Sequence, residues 1–212
     1  MPKLRLRISM SFDGYTSGPD QSLKEPLGVG GERLHEWVVA LRVWRSKHGQ
    51  AGGEDNESSR IVEDETANIG ATIMGRHMFG GHPGGWDAGN PWRGWWGKNP
   101  PFHHPVFVVT HHERPPLTLE DTTFHFVTDG IESALDQARR AAGSRDISLA
   151  GGANICQQYP NAGVVDEMLI HQVPVLLGGG ARLFEGVNDL HGLELAETIA
   201  APDVTHFRFL KR

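Results

Sequence analysis

The stretch Ile147-Ser148-Leu149-Ala150-Gly151-Gly152-Ala153-Asn154-Ile155 combines residue types that can do chemistry. Ile147 to Ala150 read as a buried strand, the glycine pair ends it, and Ala153 to Tyr159 suit a short helix. A strand feeding through glycines into a helix presents unpaired backbone N–H groups and the positive end of a helix dipole. Without side chains, Gly151 and Gly152 let an anion such as a pyrophosphate approach the backbone. The spacing is not the G-x-G-x-x-G fingerprint, so a standard Rossmann unit is not implied. An ordinary tight turn would use the same residues.

Two other turns carry candidate groups. Ala71 to Met74 reads as a short strand ending in Gly75-Arg76-His77-Met78-Phe79, where a forked, permanently charged arginine suits a phosphate. Val106 to Thr110 is another, followed by His111, His112 and Arg114, which could bracket an extra phosphate such as that on the adenosine ribose of NADPH. Arg76 as a surface ion-pair partner and Arg114 as plain loop polarity remain open. Asp13-Gly14, after the first strand, offers a carboxyl for proton handling but is also a common turn signal.

These turns need a sheet to bring them together. Lys3 to Phe12 alternates, with Leu4, Leu6, Ile8, Met10 and Phe12 opposite Lys3, Arg5, Arg7, Ser9 and Ser11, which predicts a strand. Leu34, Trp37, Val38, Leu41 and Trp44 recur at helical spacing over Glu32 to His48, with Gly49 as the stop. Gln50 to Arg60 reads as a flexible acidic loop, and Ile61 to Ile69 as a short helix begun by Ser58 or Ser59. Thr123 to Thr128 is a strand, and Asp129 with Glu132 has capping-box spacing before a helix faced by Ile131, Leu135, Ala138 and Ala142 and closed by Gly143. Val164 to Val173 is a strand leading to Leu176-Leu177-Gly178-Gly179-Gly180, and Leu193 to Ile199 with Val204 to Leu210 form a closing antiparallel hairpin. Strands alternating with helices and then an antiparallel finish predict an α/β fold, a mostly parallel sheet with helices on both faces. In such sheets, turns at carboxyl ends of strands, here Gly75, Thr110 and Gly151, converge on ligands. Gly80 to Pro105, with four tryptophans, seven glycines and five prolines, suits neither helix nor strand and reads as an ordered loop over a site, a partner subunit or its own aromatic cluster.

At 212 residues the chain fits a single domain, 1–212. A formal charge of −6 and a pI near 6.0 argue against a nucleic-acid partner. Cys156 is the only cysteine, which excludes an intrachain disulfide and a thiolate-rich metal site. No apolar run is long enough to span a bilayer, and Met1-Pro2-Lys3 leads directly into the first strand, so a cytoplasmic protein without membrane association is expected. Twelve histidines, with the pairs His103-His104 and His111-His112, raise a metal site. Adjacent strand residues point to opposite faces, however, and neither an HExxH motif nor supporting cysteines are present, so none is expected.

Ile73-Met74-Gly75-Arg76-His77 with Phe79, Leu149 to Ile155, and Val165-Asp166-Glu167-Met168-Leu169-Ile170 resemble the cofactor turns and following strand of the dihydrofolate reductase-like superfamily. Ser11-Phe12-Asp13-Gly14-Tyr15-Thr16-Ser17-Gly18 and Pro174-Val175-Leu176-Leu177-Gly178-Gly179-Gly180 are more similar to its riboflavin-biosynthesis reductases, the RibD C-terminal domain type. The similarity covers nearly the whole chain in order. It implies an NADPH-dependent reductase of a pyrimidine- or pterin-like small molecule, commonly a homodimer. It places Gly75, Arg76 and His77 at the phosphates, Thr110 and His111 at the adenosine end, and Gly151, Gly152, Ala153, Asn154 and Ile155 at the pyrophosphate and nicotinamide. Asp13 matches an aspartate near the substrate and is the candidate catalytic residue. Two departures stand out: Met78 replaces the usual threonine, and the nearest acid to the pterin-binding carboxylate is Glu36. The deaminase domain often found in front has no room in this chain. A non-catalytic module that keeps the fold and binds a nucleotide or flavin is the alternative.

Overall fold

The computed structural model describes residues 2–81, 84–89 and 91–212. The expectation for Gly80 to Pro105 extends over His82, Pro83 and Asn90, which lie outside the described residues, as does Met1. In chain order the elements are β1 (Leu4–Ser11), β2 (Tyr15–Ser17), a 3-10 turn (Gly31–Leu34), α1 (Glu36–Val39), α2 (Arg42–Lys47), α3 (Glu57–Thr66), β3 (Ile69–Gly75), α4 (Arg76–Phe79) and β4 (Val106–Val109). They continue with β5 (Leu117–Leu119), β6 (Thr122–Val127), α5 (Gly130–Ala142), β7 (Asp146–Leu149), α6 (Ala153–Asn161), β8 (Glu167–Val173), β9 (Ala181–Arg182), β10 (Leu193–Ala201) and β11 (Val204–Lys211). The main sheet has the order β10-β11-β8-β1-β7-β3-β4-β6-β5, and β2 pairs separately with β9. From β8 to β6 the neighbours are parallel, while β5, β11 and β10 join antiparallel. This is the expected α/β architecture, closing hairpin included. No helix among the described residues is long and apolar enough to cross a membrane.

The apolar half of the β1 alternation, Leu4 and Leu6, is fully buried with Ile73, Ile147 and Leu149 against Leu135 and Ala138 of α5 and Tyr159 of α6. On the opposite face Leu34, Trp37 and Leu41 pack with Val62 of α3 and with Val173 and Val204. The stripe expected over Glu32 to His48 is therefore buried, but the single helix is not formed. Leu41 is extended (φ −73°, ψ 141°) because the returning chain takes its neighbours' backbone: Glu54 N–H donates to Ala40 and Arg42 N–H to Glu54.

Other boundaries also move. Asn56, not Ser58 or Ser59, caps α3, its side chain accepting from Ser58 N–H while the Ser59 hydroxyl accepts from Asn56 N–H, and Ile69 belongs to β3. Residues 57–60 are therefore helix, not loop. Asp129 does not cap α5, because its carboxylate accepts from the Thr128 hydroxyl at 3.3 Å. β8 starts at Glu167 because Gly163 and Val164 still close the end of α6. At two or three residues each, β2, β5 and β9 are too short to leave a periodic trace.

An alternating strand ordinarily turns its polar half to water, yet here Arg5, Ser9 and Ser11 are buried, and Arg7 is partly so, on the face lying towards α3. Arg5 pairs with Glu167 (3.4 Å) and Asp64 (3.4 Å), and Arg208 also reaches Asp64 (2.7 Å). Arg7 binds the Ser148 hydroxyl at 2.9 Å and the Glu65 carbonyl. His171 Nε2 lies 3.1 Å from Glu65, His171 and His206 meet at 2.8 Å, and His206 reaches Ser58 at 2.9 Å.

Burial, with the charge of His171 second, pushes His206 down to about 4; burial, with Arg145 second, does the same to His104. Unfolded, both titrate near 6.5. As pH falls the unfolded chain takes up these protons first, so their contribution is intact above 6.5 and is lost between 6.5 and about 4. Denaturant unfolding at about pH 7.5 and about pH 4.5 should show a loss on the order of 2–4 kcal/mol. Equal stability at the two pH values would contradict the neutral burial of these rings.

Candidate cofactor site

β1 and β7 run side by side only as far as Leu6 and Leu149, after which β1 continues to Ser11 beside β8 alone. Five further residues carry it roughly 16 Å past the end of β7. The side that β7 leaves is a notch at the carboxyl edge of the parallel strands. β3 hands the chain on to β4, while β7 hands it back across β1 to β8. Open α/β sheets bind ligands at such a reversal.

Two of the expected turns form one lip of this notch. Gly75 N–H donates to the Gly151 carbonyl at 2.6 Å, and Ala150 N–H donates to Ile73 at 3.0 Å. Gly151 has φ 126°, open to glycine and strained for other residues, and a cis peptide joins it to Gly152. A Cβ on Gly75 would sit 3.4 Å from Ile155 Cγ2 and 3.5 Å from Gly152 N, in van der Waals contact, so the two turns are closely packed and leave no room for a larger side chain there. Gly152 leads into α6, and no side chain caps it, so the first N–H groups from Ala153 to Ile155 keep their donor capacity at the lip. Met78 lies beneath, its sulfur 3.5 Å from where a Gly151 Cβ would be, while His77 is exposed. One strand further out, Thr110 is buried with its N–H on Val127, its hydroxyl accepts from His112 N–H, and His111 is exposed.

Arg76 reaches outward from its turn to stack on Trp86, 3.7 Å from the ring centroid. Arg114 approaches the same indole at 4.9 Å and donates to the Trp92 carbonyl at 2.6 Å. Trp86 donates to the His112 carbonyl at 2.9 Å, so the tryptophan-rich loop bridges the Arg76 and His112 turns. Burial and then the neighbouring Arg114 lower the pKa of Arg76, and burial and then Arg93 lower that of Arg114. Both stay cationic, which makes this corner strongly positive. A cavity of about 360 Å³ lined by Leu23, Arg76, Trp86, Asp87, Trp92 and Arg93 opens beside it. Among its described residues the loop packs on an aromatic cluster around Phe79, with Trp92 Nε1 donating to the Phe79 carbonyl at 2.8 Å. The sequence marks Trp86 and Trp92 only as members of a loop over a site, a partner subunit or its own aromatic cluster, and does not mark Arg93, because only the folded loop brings them to Arg76.

Asp13 stands on the opposite lip, past the end of β1. Its carboxylate accepts from the Ser11 hydroxyl (2.5 Å), Leu177 N–H (3.2 Å) and Gly178 N–H (2.8 Å). Burial alone would raise its pKa; these bonds outweigh that and lower it, so Asp13 is ionised at neutral pH. Arg182, unmarked in the sequence beyond following three glycines, lies across from Tyr15 in the β2–β9 pair. It stacks on that ring at 4.5 Å and donates to the Asp13 carbonyl at 3.2 Å. Gln157 of α6 donates to the Arg182 carbonyl at 2.7 Å, tying this lip to the glycine lip. Among the described residues no carboxylate pairs with Arg182. Glu36 is exposed, whereas the neighbouring Trp37 is buried. Among the described residues no group of three or more His, Cys, Asp or Glu could hold a metal ion. Asp13→Ala should cost about 1–3 kcal/mol in denaturant unfolding, because the Leu177 and Gly178 amides lose their acceptor; unchanged stability would show that the carboxylate does not hold the Leu177 turn.

The model of the RibD C-terminal domain matches residues 2–207. The Bacillus subtilis (strain 168) protein YyaP is 34% identical over 73 residues, 34% of this chain and 38% of that protein. The matched stretches cover less than half the length of the curated relatives. Among solved structures, a Shewanella sp. PV-4 protein assigned to riboflavin biosynthesis superposes with a TM-score of 0.61 at 17% identity, covering 99% of both chains. A Thermotoga maritima diaminohydroxyphosphoribosylaminopyrimidine deaminase/5-amino-6-(5-phosphoribosylamino)uracil reductase gives 0.57 at 12% identity, over all of this chain and 57% of that one. Enterococcus faecalis dihydrofolate reductase, solved with NADP(H), gives 0.52 at 11% identity over 98% and 95%. The chain belongs to the RibD C-terminal domain family and has the dihydrofolate reductase-like fold.

Proposed function

We propose that the protein is an NADPH-dependent reductase of a small pyrimidine- or pterin-like heterocycle bound in the notch beside β1. The observation that carries this reading is the Gly75–Gly151 contact, which sets a lip without side chains and the uncapped start of α6 next to Arg76. That set fits a dinucleotide: backbone donors of Gly152 to Ile155 for the pyrophosphate, Arg76 and Arg114 for further phosphate, and Thr110 and His111 at the adenosine end. The names of two structural neighbours, a uracil reductase and a protein solved with NADP(H), support the reading.

When bound, the cofactor supplies hydride from its nicotinamide ring. The chain's own contribution is placement and charge. Asp13, already ionised, has no proton to give; it holds the Leu177–Gly178 turn and the substrate lip in place, and water delivers the proton. Arg182 offers its remaining donors to an anionic group of the substrate, such as the phosphate of a phosphoribosyl-type molecule. A non-catalytic nucleotide- or flavin-binding module is the second reading, favoured by Met78 at the lip and by the exposure of Glu36. For the homodimer, we propose an interface on the groove of about 640 Å³ lined by Met10, Ile170, Phe184, Phe207 and Phe209, where the sheet extends beyond α5 and α6.

Fluorescence titration should show NADPH binding at least tenfold tighter than NADH, with Arg76→Ala removing most of that preference. Binding of neither would sink the nicotinamide reading; binding without turnover of any pyrimidine or pterin would favour the module. Once a phosphorylated substrate is found, Arg182→Gln should raise its KM about tenfold or more, and an unchanged KM would remove Arg182 from the substrate site. Light scattering should report a dimer that Phe207→Glu converts to monomer; a monomeric parent protein would refute the interface.

A further inference from the structure

We propose that Ser58, His206, His171 and Glu65 form a one-proton switch between α3 and the sheet, in which one added proton reverses the donor at the Ser58–His206 and His206–His171 contacts and leaves its charge on His171 beside Glu65. The feature that requires it is a head-on contact between like atoms. His171 Nδ1 lies 2.8 Å from His206 Nδ1, so one nitrogen must carry a proton and the other must be bare. The two rings therefore titrate as a unit.

The outer contacts assign the remaining protons. Burial would raise the pKa of Glu65, but the charge His171 carries when protonated, the approach of its ring N–H in either state and the charge of Arg7 lower it, so the carboxylate is the ionised end of the chain. His171 Nε2, 3.1 Å from that carboxylate, is accordingly the ring nitrogen that carries the proton facing it. With His171 neutral its Nδ1 is bare, His206 Nδ1 holds the shared proton, and His206 Nε2 accepts from Ser58 Oγ at 2.9 Å. An added proton attaches to His206 Nε2, the shared proton crosses to His171 Nδ1, and the Ser58 hydroxyl turns from donor to acceptor. His206 ends neutral in its other tautomer, and His171 becomes an imidazolium.

The surroundings fit that endpoint. The charge settles beside Glu65 and 4.8 Å from the Trp37 ring, and both neighbours favour a cation. Arg7 on β1, Lys47 on α2 and His35 before α1 oppose it; Arg208 on β11 is held by Asp64, and Ser9 is occupied by the Trp37 indole N–H. Ser58 stands in the first turn of α3. The proton state thus sets which way the start of that helix is bonded to the sheet, and the chain shares no residue with the cofactor lip.

The test is nitrogen NMR of the histidine rings in the full chain from about pH 8 to about pH 5, with His171→Gln and His206→Gln for assignment. His206 should exchange Nδ1–H for Nε2–H at the same midpoint at which His171 becomes doubly protonated. Glu65→Gln should lower that shared midpoint by about one pH unit or more, a tenfold loss of proton affinity. A His206 tautomer that stays fixed while His171 titrates, separate midpoints, or no change in either ring overturns the switch. The parent protein alone decides this if Glu65→Gln does not fold.

Discussion

The carboxyl edge of the sheet is organised by one backbone contact, the Gly75 N–H on the Gly151 carbonyl at 2.6 Å. It joins β3 and β7 two residues past the end of their side-by-side run and brings α4 and α6 to the same lip. A methyl at 75 would just touch Ile155 and Gly152, at 3.4 and 3.5 Å, so a larger side chain there would push against the start of α6. Because β7 stops there and β1 does not, the glycine lip and Asp13 stand on opposite sides of the notch. The anion-binding character of the lip follows from that geometry, since a helix start without a cap leaves donors that only a ligand or water can satisfy.

The second organising feature lies on the other face. Arg5, Arg7, Glu167, His171, His206 and Arg208 underlie α3, which answers with Ser58, Asp64 and Glu65. Buried ion pairs add little net stability compared with apolar packing, but an unmatched partner is expensive. The arrangement therefore specifies where α3 sits more than how tightly the fold is held, while the apolar face under α5 and α6 supplies the bulk of the core.

The architecture was legible from residues whose meaning is local. The alternation of Leu4 to Met10, the stripe of α5 and the glycine turns at 75 and 151 each announce an element without reference to distant chain. The family motifs then placed the candidate cofactor residues, and the fold assembles those of the 75 and 151 turns at one lip. What stayed hidden depends on contacts far apart in sequence. Glu54 breaks the helix at Leu41, an alternating pattern cannot show that α3 covers its polar half, and Trp86 reaches Arg76 only through a folded loop. Asp13 was legible as a candidate, but its three hydrogen-bond donors come from the turn itself and from residues more than 160 positions away.

The central claim is that the turns at Gly75, Thr110 and Gly151 form one cofactor seat. Backbone hydrogen exchange with and without saturating NADPH tests it most directly. Slowed exchange at Gly75 to His77, Thr110 to His111 and Gly152 to Ile155 together, with α3 unchanged, is the expected result. Protection confined to other segments, or none at a concentration where NADPH is shown to bind, would contradict it.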